Sequence, residues 1–175
     1  MIIAISPFFY IFSGNFIGYV IDKAPRRIFM FFAFLLVSVG LFMMGPSDLL
    51  GLPKNIELLY VGTGIIGLAS GFVFIPILPE VIESVYINKQ LVEGDNENTD
   101  NIINDKAAAL YGLFYAIGAI ISPFIGSVIY NHKSPGPEEY GDWVFTCDVF
   151  GIASVAYAIF FLVFNVLPDI HKEKK

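Results

Sequence analysis

Two glutamates, Glu80 and Glu83, close a long apolar run that also contains Pro76 and Pro79. An acid inside a membrane-type segment is costly, and so is a functional site by default, suited to holding a cation or a proton. If a helix starts at Leu58, a rise of about 1.5 Å per residue puts Glu80 about 33 Å along, near or beyond the edge of a hydrocarbon core about 30 Å thick. Two readings stand: a cation- or proton-binding carboxylate, and a wetted interfacial acid. The prolines lend weight to the first, because carbonyls freed by a broken helix must face protein or water, as they do in transport cavities. Tyr111 and Tyr115 are four residues apart, with Phe114 close by. Aromatic faces can hold organic cations, although packing and lipid contact are the commoner uses of such rings. Asp148 falls one turn into the last apolar run, beside Trp143, where an aromatic belt and water would both be near.

No other chemistry stands out. The sequence shows no phosphate-cradling glycine loop, nucleophile triad or metal-ligand cluster, so neither an enzyme nor a cofactor is expected. His132 and His171 lie in loops without a paired ligand, and the single cysteine, Cys147, has no internal disulfide partner.

The elements that position these residues are set by composition. The 175 residues are 56% hydrophobic and 15% charged, against about 25% charged in an ordinary soluble domain. Five runs approach the roughly 20 apolar residues that a helix needs to cross a bilayer: about 2–21, 28–44, 58–85, 107–130 and 144–167. The fold class expected is all-α integral membrane, with five transmembrane helices. A cleavable signal peptide is a poor reading of the start, because no basic region precedes Ile2 and no small-residue cleavage site comes before Asp22. The net charge of −6 reflects acids gathered between Glu93 and Asp105. The segment 92–106 has no apolar periodicity and reads as a disordered acidic loop, with Asp105 as a possible cap for the fourth helix.

Loops rich in Lys and Arg remain cytoplasmic. Lys23, Arg26, Arg27, Lys89, Lys106, Lys172, Lys174 and Lys175 fall on one side of the alternating loops, and only Lys54 and Lys133 on the other. The 22–27 turn, the 86–106 loop and the tail 168–175 are therefore expected in the cytoplasm. The bilayer is the expected environment, and plasma and vesicle membranes are not distinguished.

The stretch "GYVIDKAPRR", Gly18 to Arg27, is open to a second reading beside that of an anchor for two spans. Gly18 lies four residues before Asp22, on one helix face, where a missing side chain lets another helix approach. Gly18, Asp22, Lys23, Arg26 and Arg27 resemble the gate signature of the major facilitator superfamily, G-x-x-x-D-(R/K)-x-G-(R/K)-(R/K), with Pro25 standing where the family has glycine. The resemblance implies that Asp22 and its basic neighbours latch the cytoplasmic face in one state and release it in another. The plain reading, a positive anchor, stays beside it.

"GAIISPFIGS", Gly118 to Ser127, is similar to the superfamily's proline-containing span motif, with Ser122 and Ser127 replacing glycines. Gly118, Ser122 and Gly126 keep a four-residue spacing that favours close helix packing, and Pro123 is expected to bend the helix. "GLASGFVFIPILPEVIE", Gly67 to Glu83, and "ALYGLFYAIGAIISP", Ala109 to Pro123, resemble spans of the vesicular amine and polyamine transporter branch. The fourth span lacks the acid that monoamine members carry there. The order of motifs implies most of one six-helix half of the fold. The C-terminal half is preferred because the chain stops in the short basic "PDIHKEKK", which would leave one span upstream of Met1.

The expected function is transport of a small solute, an organic cation, by alternating access and with proton antiport as the coupling. Membrane lipid, the solute and an upstream or partner half are the expected partners, without nucleic acid. The rival is a non-transporting structural or regulatory membrane protein derived from a half-transporter.

Overall fold

Apolar runs deprived of water must satisfy their own backbone hydrogen bonds, which leaves helices as the way across lipid for an unpaired segment. The computed structural model describes residues 4–21, 26–130 and 141–168, and among these it contains no strand. Five helices follow in order: α1 (Ile5–Ile21), α2 (Arg26–Met44), α3 (Ile56–Lys89), α4 (Glu97–Tyr130) and α5 (Gly141–Phe161), the last continuing into a π-helical turn at Leu162–Val166. The all-α membrane architecture expected from the sequence is thus present. Among the described residues four segments are long and apolar enough to cross a bilayer, namely Arg26–Met44, Ile56–Lys89, Glu97–Tyr130 and Trp143–Val166. The described part of α1 is 17 residues, uncharged throughout.

One expectation is corrected. Residues 97–106 are not disordered but form the first turns of α4. Asn96 starts the helix, its Oδ1 accepting from the backbone N–H groups of Asn98 (3.1 Å) and Thr99 (3.3 Å). Asp105, expected as a cap, is therefore inside the helix. Polarity misled the reading: a helix that projects beyond lipid needs no apolar periodicity, and Asn is a strong N-cap.

α3 forms the centre, packed by α1 on one side and α2 on another, with α5 behind α2. Glycine makes the two α3 contacts close. A Cβ on Gly67 would strike the backbone of Ser6 in α1, and a Cβ on Gly62 would strike the backbone of α2 at Met43 and Met44. Such backbone approach gives dispersion contacts where lipid removes the hydrophobic drive for helix association. The α2/α5 seam uses serines, Ser38 Oγ donating to Gly151 O (2.8 Å) and Ser154 Oγ to Phe34 O (3.0 Å). Phe34 also meets Tyr157 and Phe161 edge-on. Below them Met30, Phe161 and Val166 form a buried cluster.

Both prolines of α3 are accommodated without ending the helix, which runs unbroken through Pro76 and Pro79. Each nevertheless removes one backbone donor, the ones that would have reached the carbonyls of Phe72 and Ile75. α4 likewise continues through Pro123.

Candidate functional site

α2 opens with two arginines, which is electrostatically the wrong end: a helix N-terminus carries partial positive charge and repels cations. The compensation comes from α3. Glu80 and Glu83 are three residues apart and share a helix face, and α3 extends far enough to bring both to the start of α2. Arg26 Nη1 donates to Glu83 and Arg27 Nε donates to Glu80. Arg27 Nη1 also reaches Asn165 O, at 3.4 Å, in the π-helical turn after α5. Three elements thus converge on Arg27. The start of α2 and the ends of α3 and α5 lie together at one end of the bundle, as alternating spans require.

The two pairs are unequal. The Arg27 and Glu80 side chains are 28% and 20% exposed, whereas Glu83 is 55% exposed. Attraction between charges grows as water is excluded, so Arg27–Glu80 is the stronger tie. Beside them opens a cavity of about 570 Å³ whose walls include Arg26, Pro79, Glu83, Tyr86, Glu93 and Asn104.

A second polar clasp shapes the rim of this cavity. α3 ends at Gln90 in a left-handed conformation, φ 54°, and Leu91 N–H returns to Tyr86 O at 3.1 Å. Tyr86 Oη then donates to Asp100 Oδ1 (2.6 Å), while Gly94 N–H donates to Asp100 Oδ2 (2.9 Å). Gly94 has φ +91°, a conformation other residues rarely adopt. One carboxylate on α4 therefore fixes both the end of α3 and the connecting loop.

The other residues singled out by sequence are dispersed. Asp22 and Lys23 lie outside the described residues. Gly18 is exposed, and a Cβ there would meet nothing within 4 Å. Tyr111 and Tyr115 stack at 6.4 Å between ring centroids, and Phe74 of α3 meets Tyr115 edge-on at 6.1 Å. Gly118, Ser122 and Pro123 are exposed, Gly126 is half-buried, and Gly118 and Gly126 each have open space where a Cβ would stand. Sequence reasoning missed Asn165, Tyr86 and Asp100. A tyrosine one turn before the α3 terminus was the available signal for the clasp; Asn165 offers none, since it contributes its backbone carbonyl.

A multi-pass helical membrane chain with ion pairs fastening its helix ends at one side is the class of protein this structure defines. Comparison with known proteins agrees. The chain is 27% identical over 122 residues to the MFS-type transporter SLC18B1 of Rattus norvegicus, covering 69% of this chain and 25% of that protein. The Mus musculus protein of the same name is 25% identical over 122 residues, with the same shares. The Homo sapiens one is 25% identical over 124 residues, covering 70% of this chain and 26% of the relative. No family model matches the chain, and no solved structure matches it. The chain is similar to MFS-type transporters and spans about a quarter of the length of these relatives.

Proposed function

We propose that this chain is part of a secondary transporter, five spans of its C-terminal half, that moves a small solute by alternating access. The observation that carries the reading is the double ion pair joining the start of α2 to the end of α3. Alternating access needs ties at one end that hold in one state and part in the other, and half-exposed pairs at helix ends are suited to both. Arg26 and Arg27 belong to the turn that resembles the gate signature, and Glu80 and Glu83 are their counter-charges. Glu80 thereby acts as a gating carboxylate, with cation or proton binding open to it when Arg27 withdraws. Positive charge at this end favours the cytoplasmic side.

The solute proposed is an organic cation. On a helix turning 100° per residue, Tyr111, Tyr115, Gly118, Ser122 and Gly126 fall on one face of α4. Its aromatic end faces Phe74, and stacked tyrosines attract cations through their π faces. This face is what an upstream or partner half would meet, so the isolated chain is expected not to transport. The test is uptake of a labelled polyamine into vesicles by the longer protein, with Arg27→Glu, Glu80→Arg and the double exchange. Loss in each single variant and recovery in the double supports the latch; unaltered uptake in both singles returns Arg26 and Arg27 to plain anchors.

A further inference from the structure

At the opposite end of α2 from the arginines, α5 buries an acid that the gate does not use. Asp148 is 6% exposed, and Ser47, in the turn after α2, is 0% exposed. The Ser47 hydroxyl lies near enough to the Asp148 carboxyl to act on its charge. Yet among the described residues neither Ser47 Oγ nor Asp148 Oδ1 completes a hydrogen bond. The position of Ser47 is not accidental, because its backbone is fixed on both sides: Ser47 N–H donates to Phe42 O (3.1 Å) and Leu52 N–H donates to Ser47 O (3.1 Å).

The surroundings offer no described counter-charge. Asp48, on the same turn, contributes a like charge, and Lys54 is engaged by Asp48 at 3.3 Å. The neighbour on α5 is Cys147, a buried thiol set against Gly45. α2 from Ile28 to Met44 and α4 from Ala107 to Tyr130 contain no charged residue, and the segment 131–140, outside the described residues, carries His132, Lys133, Glu138 and Glu139. A buried carboxyl with one hydroxyl beside it and no described cation against it is a place where a proton can be held and exchanged.

We propose that Asp148 and Ser47 form a proton-binding site, in which the Asp148 carboxyl takes up and releases one proton with the Ser47 hydroxyl as its hydrogen-bond partner. A protonated Asp148 donates its O–H to Ser47 Oγ; an ionised Asp148 accepts from the same hydroxyl. One partner therefore serves both states, and this suits reversible loading. Proton binding here stands on the burial and the two unpartnered atoms alone. Its use in driving solute exchange rests on the transporter reading above.

The test needs no transport. Dicyclohexylcarbodiimide adds to protonated carboxyls in apolar surroundings without a leaving group, and the adduct is located by peptide mass spectrometry. The full chain, reconstituted in phosphatidylcholine vesicles, is treated across a pH series with the exposed Glu57 as internal reference. Asp148 is expected to be labelled several-fold more than Glu57 at neutral pH, with labelling lost as pH rises. Asp148→Asn removes the adduct from that peptide, and Ser47→Ala shifts the pH at which labelling is lost without changing the helical circular dichroism. Labelling of Asp148 no greater than that of Glu57, as an ion pair with Lys133 would produce, overturns the proposal, and so does a Ser47→Ala profile identical to wild type. If Asp148→Asn does not fold, the wild-type and Ser47→Ala profiles decide. Failure of uptake by the longer protein with normal labelling would remove the transporter reading and leave the proton site.

Discussion

Arg27 and Glu80, 53 residues apart in the chain, meet where the first turn of α2 crosses the last third of α3, and the same guanidinium reaches the carbonyl of Asn165 beyond α5. Each arginine on α2 opposes that helix's own dipole, so the acids of α3 are needed to seat them. Removing one member of such a pair costs more than the pair contributes, because the survivor keeps its desolvation penalty.

The first prediction concerns the inequality of the two pairs. Glu80→Gln is expected to destabilise the bundle by about 1–3 kcal/mol, between the range for exposed pairs and that for fully buried ones. Glu83→Gln, at the wetter pair, is expected to cost about 0–1 kcal/mol. Thermal unfolding of both variants in one detergent measures the difference, and equal losses would contradict the asymmetry of burial.

The second prediction separates filled from open glycine positions. Gly67→Ala places a methyl group against the Ser6 backbone, where no flexible side chain can give way, and overpacking of this kind costs about 1–3 kcal/mol. Gly118→Ala meets nothing within 4 Å and is expected to leave the melting temperature of this chain unchanged or slightly raised, since alanine favours helix over glycine. Melting of the two variants side by side checks it; a loss at Gly118 matching that at Gly67 would mean that α4 packs differently.

Third, the Asp100 clasp makes a local forecast. Tyr86→Phe removes the donor to Asp100 Oδ1 and leaves Gly94 N–H on Oδ2, whereas Asp100→Ala removes both. A hydrogen bond to a charged acceptor is stronger than one between neutral groups. Amide exchange at Gly94 and over Glu97–Asp105 is therefore expected to quicken in both variants, and more in Asp100→Ala. Exchange that stays at wild-type rates would show that the loop is held by other contacts.

The spans were legible because hydropathy is a property of each segment by itself. Runs of uncharged residues such as Ile28 to Met44 leave a helix as the available solution in lipid. What failed depended on partners distant in sequence. The acidic stretch before Lys106 looks unstructured until Tyr86 and Gly94 supply the donors that engage Asp100. Glu80 reads in sequence as either a cation-binding carboxylate or a wetted interfacial acid, and its place opposite Arg27 emerges only in the fold. Asn165 has no recognisable pattern at all, because its contribution is a backbone carbonyl at a π-helical turn. Likewise, the small residues of α3 and those of α4 read alike in sequence, yet Gly62 and Gly67 are covered by neighbours while Gly118 is not.

That last contrast carries the fourth prediction. Apart from Ala107, no residue of α4 is buried, although the helix is continuous over 34 residues and carries small side chains at Gly118, Ser122 and Gly126 on one face. Phe124 lies on the opposite face and is 73% exposed, as a lipid-facing ring should be. If an upstream half packs on the small-residue face, cysteines introduced at 118, 122 and 126 should react readily with a maleimide in this chain alone and become protected when the half is co-expressed. Phe124→Cys should react equally in both settings. Cys147 is buried and contributes little background. A small-residue stripe allows backbones to approach to the distance at which dispersion is strongest, so protection should be confined to it; uniform protection around α4, or none, would leave the face without the partner proposed for it.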